Sequence, residues 1–258
     1  MRTIVVTGGT HGIGEELVRH YRAAGNRVIA VGSTVTPGPD TVRTDLSSPV
    51  ATLRLAASLP DRVDALVLAA FRYSPTRVET ADGLEHTFAL YVLSRFLLVE
   101  ALLPALERGT DPAIVNLCGT GLRPRLDWSD LQMARGRYRP MTAVLRGAHA
   151  NDLLGAAFTS EHPAARARYV LYNPVMVDTG LSKPFHGPTR LLIAAASLLL
   201  ATPISQAVPP ITRLIDSPPA APLSAFRAGR PSPVDGPTFD PASALRLTAL
   251  LRDLSGTR

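Results

Sequence analysis

Short apolar runs alternate with helix-like segments along the first two thirds of the chain. The runs with the composition of buried strands are residues 3–7, 27–31, 41–44, 65–69, 113–117 and 168–172. Helical spacing of apolar residues fills the gaps between them, at residues 13–24, 50–59, 83–107 and 141–161. Strands that alternate with helices predict an α/β fold with a doubly wound parallel sheet. Helices on both faces bury such strands, which explains their continuous apolar character.

The composition changes after Pro203. Proline and small residues dominate positions 203–241, which predicts irregular structure with short helical pieces. Residues 185–240 are interpreted as a substrate lid and Pro-rich extension of a single domain that spans 1–258, and the apolar stretch 189–201 is interpreted as part of this lid or as a core helix. Residues 240–254 restore a helix, with Asp240 as N-cap and Pro241 at its first position.

Composition and charge exclude several classes of function. The single cysteine, Cys118, excludes an internal disulfide framework and a cysteine-built zinc site, and no metal site is predicted. The net charge is +6, but the arginines are scattered without a basic block, so no nucleic-acid partner is expected. The longest apolar run, residues 191–201, is shorter than the roughly 20 residues that a membrane span needs. The chain opens directly on a strand-like segment, so we expect a cytoplasmic protein without a membrane span.

A glycine-rich segment, residues 7–14 (TGGTHGIG), joins the first strand to the first helix. Glycines there allow a tight turn and a close approach of the backbone to a pyrophosphate, while the start of the helix favours an anion. The position between a strand and a helix supports a nucleotide-binding interpretation. The alternative is a glycine-rich turn without a ligand.

This segment resembles the TGxxxGIG motif of the short-chain dehydrogenases/reductases, and the resemblance extends over nearly the whole chain. Residues 44–46 (TDL) resemble the Asp-Leu pair after the third strand of the family, and residues 174–179 (PVMVDT) resemble its PGxVxT motif. Residues 82–88, 96–98, 130–132, 137–138 and 150–151 resemble the retinol-dehydrogenase-like branch. The resemblance implies a Rossmann-type fold. It also implies cofactor contacts at Gly8, Thr10, His11, Gly12, Ile13, Gly14, Ser33, Asp45, Leu46, Ala69 and Thr179.

The end of the second strand bears on the choice of cofactor. An enzyme that uses NAD usually has an acidic residue there to bind the ribose hydroxyls, whereas this chain has Gly32, Ser33 and Thr34. In addition, His11 stands at a motif position that is often basic in relatives that use NADP. We therefore expect NADP(H) rather than NAD(H), and no cofactor if the pocket is blocked.

The catalytic residues that the resemblance would supply are missing. The family reduces carbonyls with Asn, Ser and a Tyr-x-x-x-Lys pair, yet residues 1–182 contain no lysine and no tyrosine has a lysine four positions on. The aligned positions hold Tyr91 for Asn, Gly119 or Cys118 for Ser, Val144 for Tyr and Ala148 for Lys. Phe71 replaces a glycine that lies against the cofactor in the family. The ordinary proton relay is therefore absent, and the pocket is more apolar.

Two residues are the candidates for catalysis. Tyr91 occupies the Asn position, and Arg95 lies four residues on, on the same helical face. A neighbouring cation would lower the pKa of the Tyr91 hydroxyl and assist acid–base chemistry. The alternative is a structural tyrosine beside a solvated arginine. Thr120 follows the vacant Ser position and could bind a substrate oxygen, or could be an ordinary loop threonine.

Five further residues receive structural interpretations. Cys118 is expected to be buried and inert, because no base is identifiable beside it. His149 should point away from the pocket, since it lies about 140° around the helix from Val144. Tyr138 and the pair at 127–128 are expected to pack.

Three functions remain open at this point. The first is an atypical enzyme that acts on a small, largely apolar metabolite by isomerase, cyclase or lyase chemistry, in specialised metabolism. The second is a catalytically silent NADP-binding homologue that serves as a sensor or partner subunit. The third is an NADP-dependent carbonyl reductase with relocated acid groups. The resemblance also implies a homo-oligomer that pairs through the fourth and fifth helices of the family.

Overall fold

The computed structural model describes residues 1–122, 124–175 and 202–256. These residues form one eight-stranded sheet in the order β3-β2-β1-β4-β5-β6-β7-β8. Strands β1 to β7 pair in parallel, and β8 pairs with β7 in the antiparallel direction. The strands are Thr3–Thr7 (β1), Arg27–Gly32 (β2), Thr41–Arg43 (β3), Ala65–Leu68 (β4), Ala113–Leu117 (β5), Arg168–Asn173 (β6), Leu223–Arg227 (β7) and Arg230–Ser232 (β8).

Helices cover both faces of this sheet, which confirms the predicted α/β fold. They are Gly12–Ala23 (α1), Pro49–Ser58 (α2), His86–Glu107 (α3), Pro140–Glu161 (α4), Ile204–Asp216 (α5) and Pro241–Ser255 (α6). Helices α1 and α5 pack together on one face, α2, α3 and α4 cover the other, and α6 packs against α4. Helix α3 contains one π-helical segment, Ala89–Leu93.

The strand order reverses beside β1, whose neighbours are β2 and β4. Thr7, the last residue of β1, lies between Val31 of β2 and Leu68 of β4. The connections from β1 and β4 leave toward opposite faces, so a crevice opens at the carboxyl ends of these strands. Ligands of open α/β sheets bind at such a switch point.

The prediction for residues 203–241 was wrong in one respect. Instead of irregular lid structure, the segment forms α5 and the strands β7 and β8, which complete the core and the sheet. Pro209 and Pro210 lie inside α5, but the helix buries an apolar face against α1, and this burial outweighs the helix-breaking tendency of proline. Helix α6 was predicted correctly, and Ser243 N donates to the Asp240 carboxylate at its start. The segment 189–201 lies outside the described residues.

Helix α3 bears on the expectation that the chain has no membrane span. Its 22 residues have mean hydropathy of 1.8 over the most apolar stretch, enough by length and composition to cross a bilayer. The sequence analysis predicts this helix, at residues 83–107, but compares only continuous apolar runs with the length of a membrane span. In the structure 72% of that stretch is buried inside the domain, where α3 packs against the sheet and α2. The apolar composition is therefore accounted for by the core.

Candidate functional site

The glycine turn between β1 and α1 lies at the switch point. Gly8 and Gly12 have φ of +67° and +58°, a region that residues with side chains rarely adopt. A Cβ on Gly8 would lie 2.8 Å from Ala70 N, and a Cβ on Gly14 would overlap the carbonyl oxygen of Gly8. The turn therefore packs tightly against the end of β4 only because these positions are glycine.

The start of α1 is free to bind an anion. His11 is the N-cap residue, and its side chain makes no capping hydrogen bond, so the first amides of the helix have no side-chain partner. A side-chain-free turn followed by an uncapped helix start fits the pyrophosphate of a dinucleotide. The residues that would hold it are those of the turn, from Gly8 to Gly14.

The predicted cofactor residues differ in exposure. His11, Ser33 and Asp45 are exposed at the carboxyl ends of the strands, and Thr10 Oγ1 lies 3.0 Å from His11 Nδ1. One oxygen of Asp45 accepts hydrogen bonds from the backbone N and hydroxyl of Ser47.

The remaining cofactor predictions are more limited. The side chains of Ile13 and Leu46 are buried in the core, so these two residues could offer a cofactor only their backbone. Ala69 is half-buried at the end of β4, where its N–H donates to Thr7 O over 3.2 Å. Thr179 lies outside the described residues.

Tyr91 lies in the π-helical segment of α3 and is 5% exposed. Its hydroxyl oxygen accepts a hydrogen bond of 3.0 Å from Gly119 N, at the end of β5. Its ring meets the Phe71 ring edge to face, with centroids 5.0 Å apart. On the α4 side a Cβ on Gly147 would lie 2.5 Å from Tyr91 Cδ1, so glycine makes the room that the ring needs.

The prediction that Tyr91 and Arg95 share a helical face is confirmed, but two associated predictions were wrong. The guanidinium carbon of Arg95 lies 4.5 Å from the centroid of the Tyr91 ring. However, burial raises the pKa of Tyr91 well above its usual range, and the opposing effect of Arg95 is smaller. Arg95 is not solvated either, since only 1% of it is exposed.

Arg95 joins the carboxyl ends of two strands. Its guanidinium donates to the side-chain oxygen of Asn116 and the carbonyl of Leu117, both in β5, and to Ala70 O just after β4. No carboxylate forms an ion pair with Arg95 among the described residues. Burial accordingly lowers its pKa. Arg95 therefore positions the backbone beside Tyr91.

Asn116 extends this buried polar network, and the sequence analysis missed it. Its amide nitrogen donates to Asn151 Oδ1 and to the Tyr169 hydroxyl oxygen, at 2.8 and 2.9 Å. Asn151 in turn donates to Tyr91 O and Gly147 O. The available signal was an asparagine inside the otherwise apolar run 113–117.

Asp152 is a second buried polar residue that the sequence analysis missed. Its Oδ2 accepts a hydrogen bond of 3.2 Å from Gly121 N, and burial raises its pKa to about 6. The buried Thr120 hydroxyl lies near the Asp152 carboxyl group and opposes the rise in its pKa, but the two groups do not form a hydrogen bond of good geometry. Thr120, the other predicted catalytic residue, thus faces a carboxyl group and lies one residue from Gly119.

The positions that the resemblance assigns to the Tyr-Lys pair are apolar. Val144 is half-buried and Ala148 is buried. A Cβ on Gly119 would lie 3.0 Å from Ala148 Cβ, so the small residues at 119 and 148 pack directly against each other. Of the two predicted catalytic residues, Tyr91 accepts a hydrogen bond from Gly119 N, and Thr120 is the next residue after Gly119.

The structural interpretations of the neighbouring residues agree with the structure. Cys118 is buried, and burial raises its pKa. His149 Nδ1 lies 2.7 Å from Pro124 O, directed to the loop after β5. The Tyr138 hydroxyl donates to Glu85 Oε1, and the Trp128 ring packs under Arg246.

With this geometry described, comparison with known proteins gives a consistent result. The family model for the short chain dehydrogenase matches residues 2–126. The N-terminal half of the chain therefore matches the short-chain dehydrogenase/reductase superfamily. Several of the matched relatives are named as oxidoreductases or dehydrogenases.

Two related sequences illustrate the relationship. The oxidoreductase CalI of Penicillium decumbens is 27% identical over 72% of this chain and 61% of its own length. The Streptomyces protein DnrU, named as a daunorubicin C-13 ketoreductase, is 27% identical over 95% of this chain and 90% of its own length. The chain thus spans about three fifths of the first relative and most of the second.

Solved structures share the fold at lower identity. An uncharacterized protein from Mycobacterium paratuberculosis superposes with a TM-score of 0.75 at 22% identity, covering 100% of this chain and 94% of the other. The 3-alpha-hydroxysteroid dehydrogenase from Pseudomonas sp. B-0831, complexed with NADH, gives 0.68 at 19% identity, covering 88% of this chain and 96% of the other. These similarities establish the fold.

Proposed function

We propose that this protein is a cytoplasmic, NADP(H)-dependent oxidoreductase that reduces a carbonyl group of a small, largely apolar substrate. Tyr91 is the proton donor in this proposal. The observation that carries it is the Tyr91 hydroxyl, which is held by Gly119 N at the carboxyl end of β5, close to the switch point. Among the described residues no acceptor takes the hydroxyl proton, which leaves it available to a substrate oxygen.

The raised pKa of Tyr91 favours the reductive direction. The nicotinamide dinucleotide supplies a hydride when it is bound. As the substrate carbonyl oxygen gains negative charge, the neutral Tyr91 hydroxyl donates its proton to that oxygen, and an alkoxide is a stronger base than a phenolate. The Gly119 N–H and the Arg95 cation then stabilise the phenolate that remains. The oxidative direction would need the phenolate beforehand, which burial disfavours.

Apolar surroundings support an apolar substrate. Val144 and Ala148 replace the polar pair that the resemblance would place on α4, and Phe71, which is 42% exposed, lies against Tyr91. A site with few polar groups strengthens those that it does contain. Tyr91 and Thr120 are then the hydroxyls available to a substrate oxygen, with Tyr91 as the donor and Thr120 as an orienting group.

The preference for NADP(H) depends on the end of β2. No acidic residue stands at positions 32–34 to repel a 2′-phosphate, and His11 and Ser33 are both exposed there. Arg43 is paired in register with Gly32 and adds a cation at the same edge. The reverse preference would need a carboxylate for the ribose hydroxyls.

The relatives' names favour reduction over isomerase, cyclase or lyase chemistry in specialised metabolism, since they are an oxidoreductase and a ketoreductase. A catalytically silent NADP-binding homologue is the second candidate. The tight packing of Gly119 against Ala148 favours it, because it leaves no room for a family-type relay. Turnover separates the two candidates.

Pairing of two chains remains part of the proposal and concerns α3 and α4. Part of the α4 surface is occupied by α6, where Arg252 bonds Glu161 and lies 3.7 Å from Glu100 of α3. A homo-oligomer must therefore use the surface that α6 leaves open. Light scattering on the purified protein measures the oligomeric state directly.

The test begins with fluorescence titration by NADPH and NADH, followed by 4-deuterated NADPH with a panel of apolar ketones and aldehydes. We expect micromolar NADPH binding and deuterium at the carbinol carbon of one product class. Tyr91→Phe should reduce turnover at least 100-fold while NADPH affinity stays within twofold. Tyr138→Phe is the matched control and should retain activity.

Two results would contradict the proposal. If NADPH does not bind at millimolar concentration, NADP(H) is not the cofactor of this protein. Unchanged turnover in Tyr91→Phe would remove Tyr91 as donor. Binding without turnover on any carbonyl substrate would favour the silent homologue.

A further inference from the structure

Four arginines line an open cleft of about 330 Å³ at the start of α4. Arg135, Arg137 and Arg139 come from the loop that precedes the helix, and Arg146 comes from its second turn. Arginine makes up 26 of the 258 residues in the chain, which is about one in ten, but four of the eight residues that line this cleft. The cluster therefore exceeds what the composition of the chain alone would place there.

Three of these guanidinium groups have no ion pair among the described residues. Only Arg146 approaches a carboxylate, at 3.8 Å from Asp127. The other carboxylate of the cleft, Asp130, accepts hydrogen bonds from the backbone N–H groups of Ala134 and Arg135. Four cations and two carboxylates leave a net charge of +2 in the cleft. Unpaired, closely spaced guanidinium groups repel one another, and an anion between them removes that repulsion.

The end of α4 adds donors to the same cleft. The helix begins at Pro140, and its N-cap, Arg139, makes no side-chain capping bond. The Thr142 hydroxyl lies on the cleft wall. Free amides and the helix dipole favour an anion at this position, so the backbone and the four arginines have the same preference.

This cleft lies apart from the candidate active site. Thr142 and Arg146 are four residues apart and share one face of α4, since each residue turns the helix by about 100°. Val144 and Ala148 are each two residues from Arg146, about 160° around the helix. Thr142 and Arg146 therefore lie on the side of α4 that faces away from Val144 and Ala148.

We propose that this arginine cleft is a binding site for a phosphate-bearing ligand, separate from the dinucleotide turn. Guanidinium groups match the oxygens of phosphate in bidentate geometry, and a phosphate dianion balances the net charge of +2 in the cleft. The volume is in the range of pockets for small molecules. A soluble phosphate ester or diphosphate and a lipid headgroup share this chemistry.

The experiment uses the full-length protein with inorganic pyrophosphate as probe, measured by isothermal titration calorimetry in about 50 mM salt. The test variant is Arg135→Gln/Arg137→Gln/Arg139→Gln, whose three side chains are exposed. The matched control is Arg54→Gln/Arg227→Gln/Arg230→Gln, which removes the same charge from exposed positions elsewhere. Circular dichroism melting checks that both variants fold.

We expect pyrophosphate to bind the unmodified protein and the control, and the affinity of the test variant to fall about tenfold or more. Binding should weaken when salt is raised to about 0.3 M. Sedimentation with phosphatidic acid vesicles forms the second arm. If the protein binds vesicles but not pyrophosphate, and the test variant loses vesicle binding, the ligand is a lipid headgroup. If the protein binds pyrophosphate, the ligand is a soluble phosphate compound.

Three outcomes would overturn the proposal. The first is that neither probe binds the unmodified protein. The second is that the test variant keeps its affinity, which would place pyrophosphate at the glycine turn. The third is that both triple variants lose affinity equally, which would show a general charge effect. None of these outcomes concerns carbonyl reduction, because no substituted residue contacts Tyr91. The proposed activity and this binding site therefore fail or succeed separately.

Discussion

The guanidinium carbon of Arg95 lies 4.5 Å from the centroid of the Tyr91 ring, and both side chains are almost completely buried. A buried cation is costly unless hydrogen bonds replace its water. Here the replacement comes from two backbone carbonyls and Asn116, which belong to the ends of β4 and β5. The arginine thus maintains the strand ends that surround Tyr91.

Replacing Arg95 with Met should destabilise the fold. The apolar side chain fills similar space but leaves the oxygens of Ala70, Leu117 and Asn116 without their donor. Unsatisfied buried acceptors of this kind cost about 1–3 kcal/mol each, while removal of the buried charge offsets part of the loss. We expect the free energy of unfolding to fall by about 2–4 kcal/mol in urea denaturation.

Arg54→Met is the control, because Arg54 is exposed on α2 and should change stability by less than about 0.5 kcal/mol. Equal urea midpoints for Arg95→Met and the unmodified protein would show that the three hydrogen bonds make no net contribution to the free energy of unfolding.

Gly147→Ala tests the contact between α4 and the Tyr91 ring. Alanine favours a helix by about 1 kcal/mol over glycine, but its Cβ would lie 2.5 Å from Tyr91 Cδ1. Overpacking of this kind costs about 1–3 kcal/mol, so the melting temperature should fall. Thermal melting followed by circular dichroism measures the effect.

The same substitution in a Tyr91→Ala background should reverse sign. Without the ring, only the helix preference remains, and alanine at 147 should raise the melting temperature relative to glycine. A fall of equal size in both backgrounds would mean that the ring is not the obstacle.

Much of the fold follows from the sequence because short continuous apolar runs differ from the helical spacing of apolar residues. Strand β5 was predicted to the residue, and α1, α2 and α4 to within one residue. Helix α5 was missed because its two prolines outweigh its apolar face in any local interpretation, whereas packing against α1 decides the outcome in the folded chain.

The candidate site divides in the same way. The adjacency of Tyr91 and Arg95 follows from a spacing of four on a helix. The direction of the shift in the Tyr91 pKa does not follow from the sequence, because it depends on how deeply Tyr91 and Arg95 are buried. Asn116, Asn151 and Asp152 were missed for the same reason, since a buried polar residue shows its partners only in three dimensions.

Ser33→Asp should reverse the cofactor preference. A carboxylate at the end of β2 repels a 2′-phosphate and binds ribose hydroxyls instead. We expect NADPH affinity to fall about tenfold or more and the affinity for NADH to rise, in fluorescence titrations of both. Ser33→Asn is the neutral control of equal size and should leave the preference unchanged. An unaltered preference for NADPH in Ser33→Asp would mean that the 2′-phosphate lies elsewhere.

Asp152→Asn should stabilise the protein, and increasingly so as the pH rises. Burial raises the folded-state pKa of Asp152 to about 6, above about 3.9 in the unfolded chain, so the protonated form contributes stability that is complete below pH ~4 and lost as the pH rises through 6. The amide oxygen of Asn can still accept the Gly121 N–H. The gain in unfolding free energy should therefore be near zero at pH 4 and level off at about 3 kcal/mol above pH 7. Urea denaturation across this range measures it, with Asp253→Asn, at an exposed position, as the control substitution. A difference for Asp152→Asn that does not vary with pH would show that this carboxyl titrates normally.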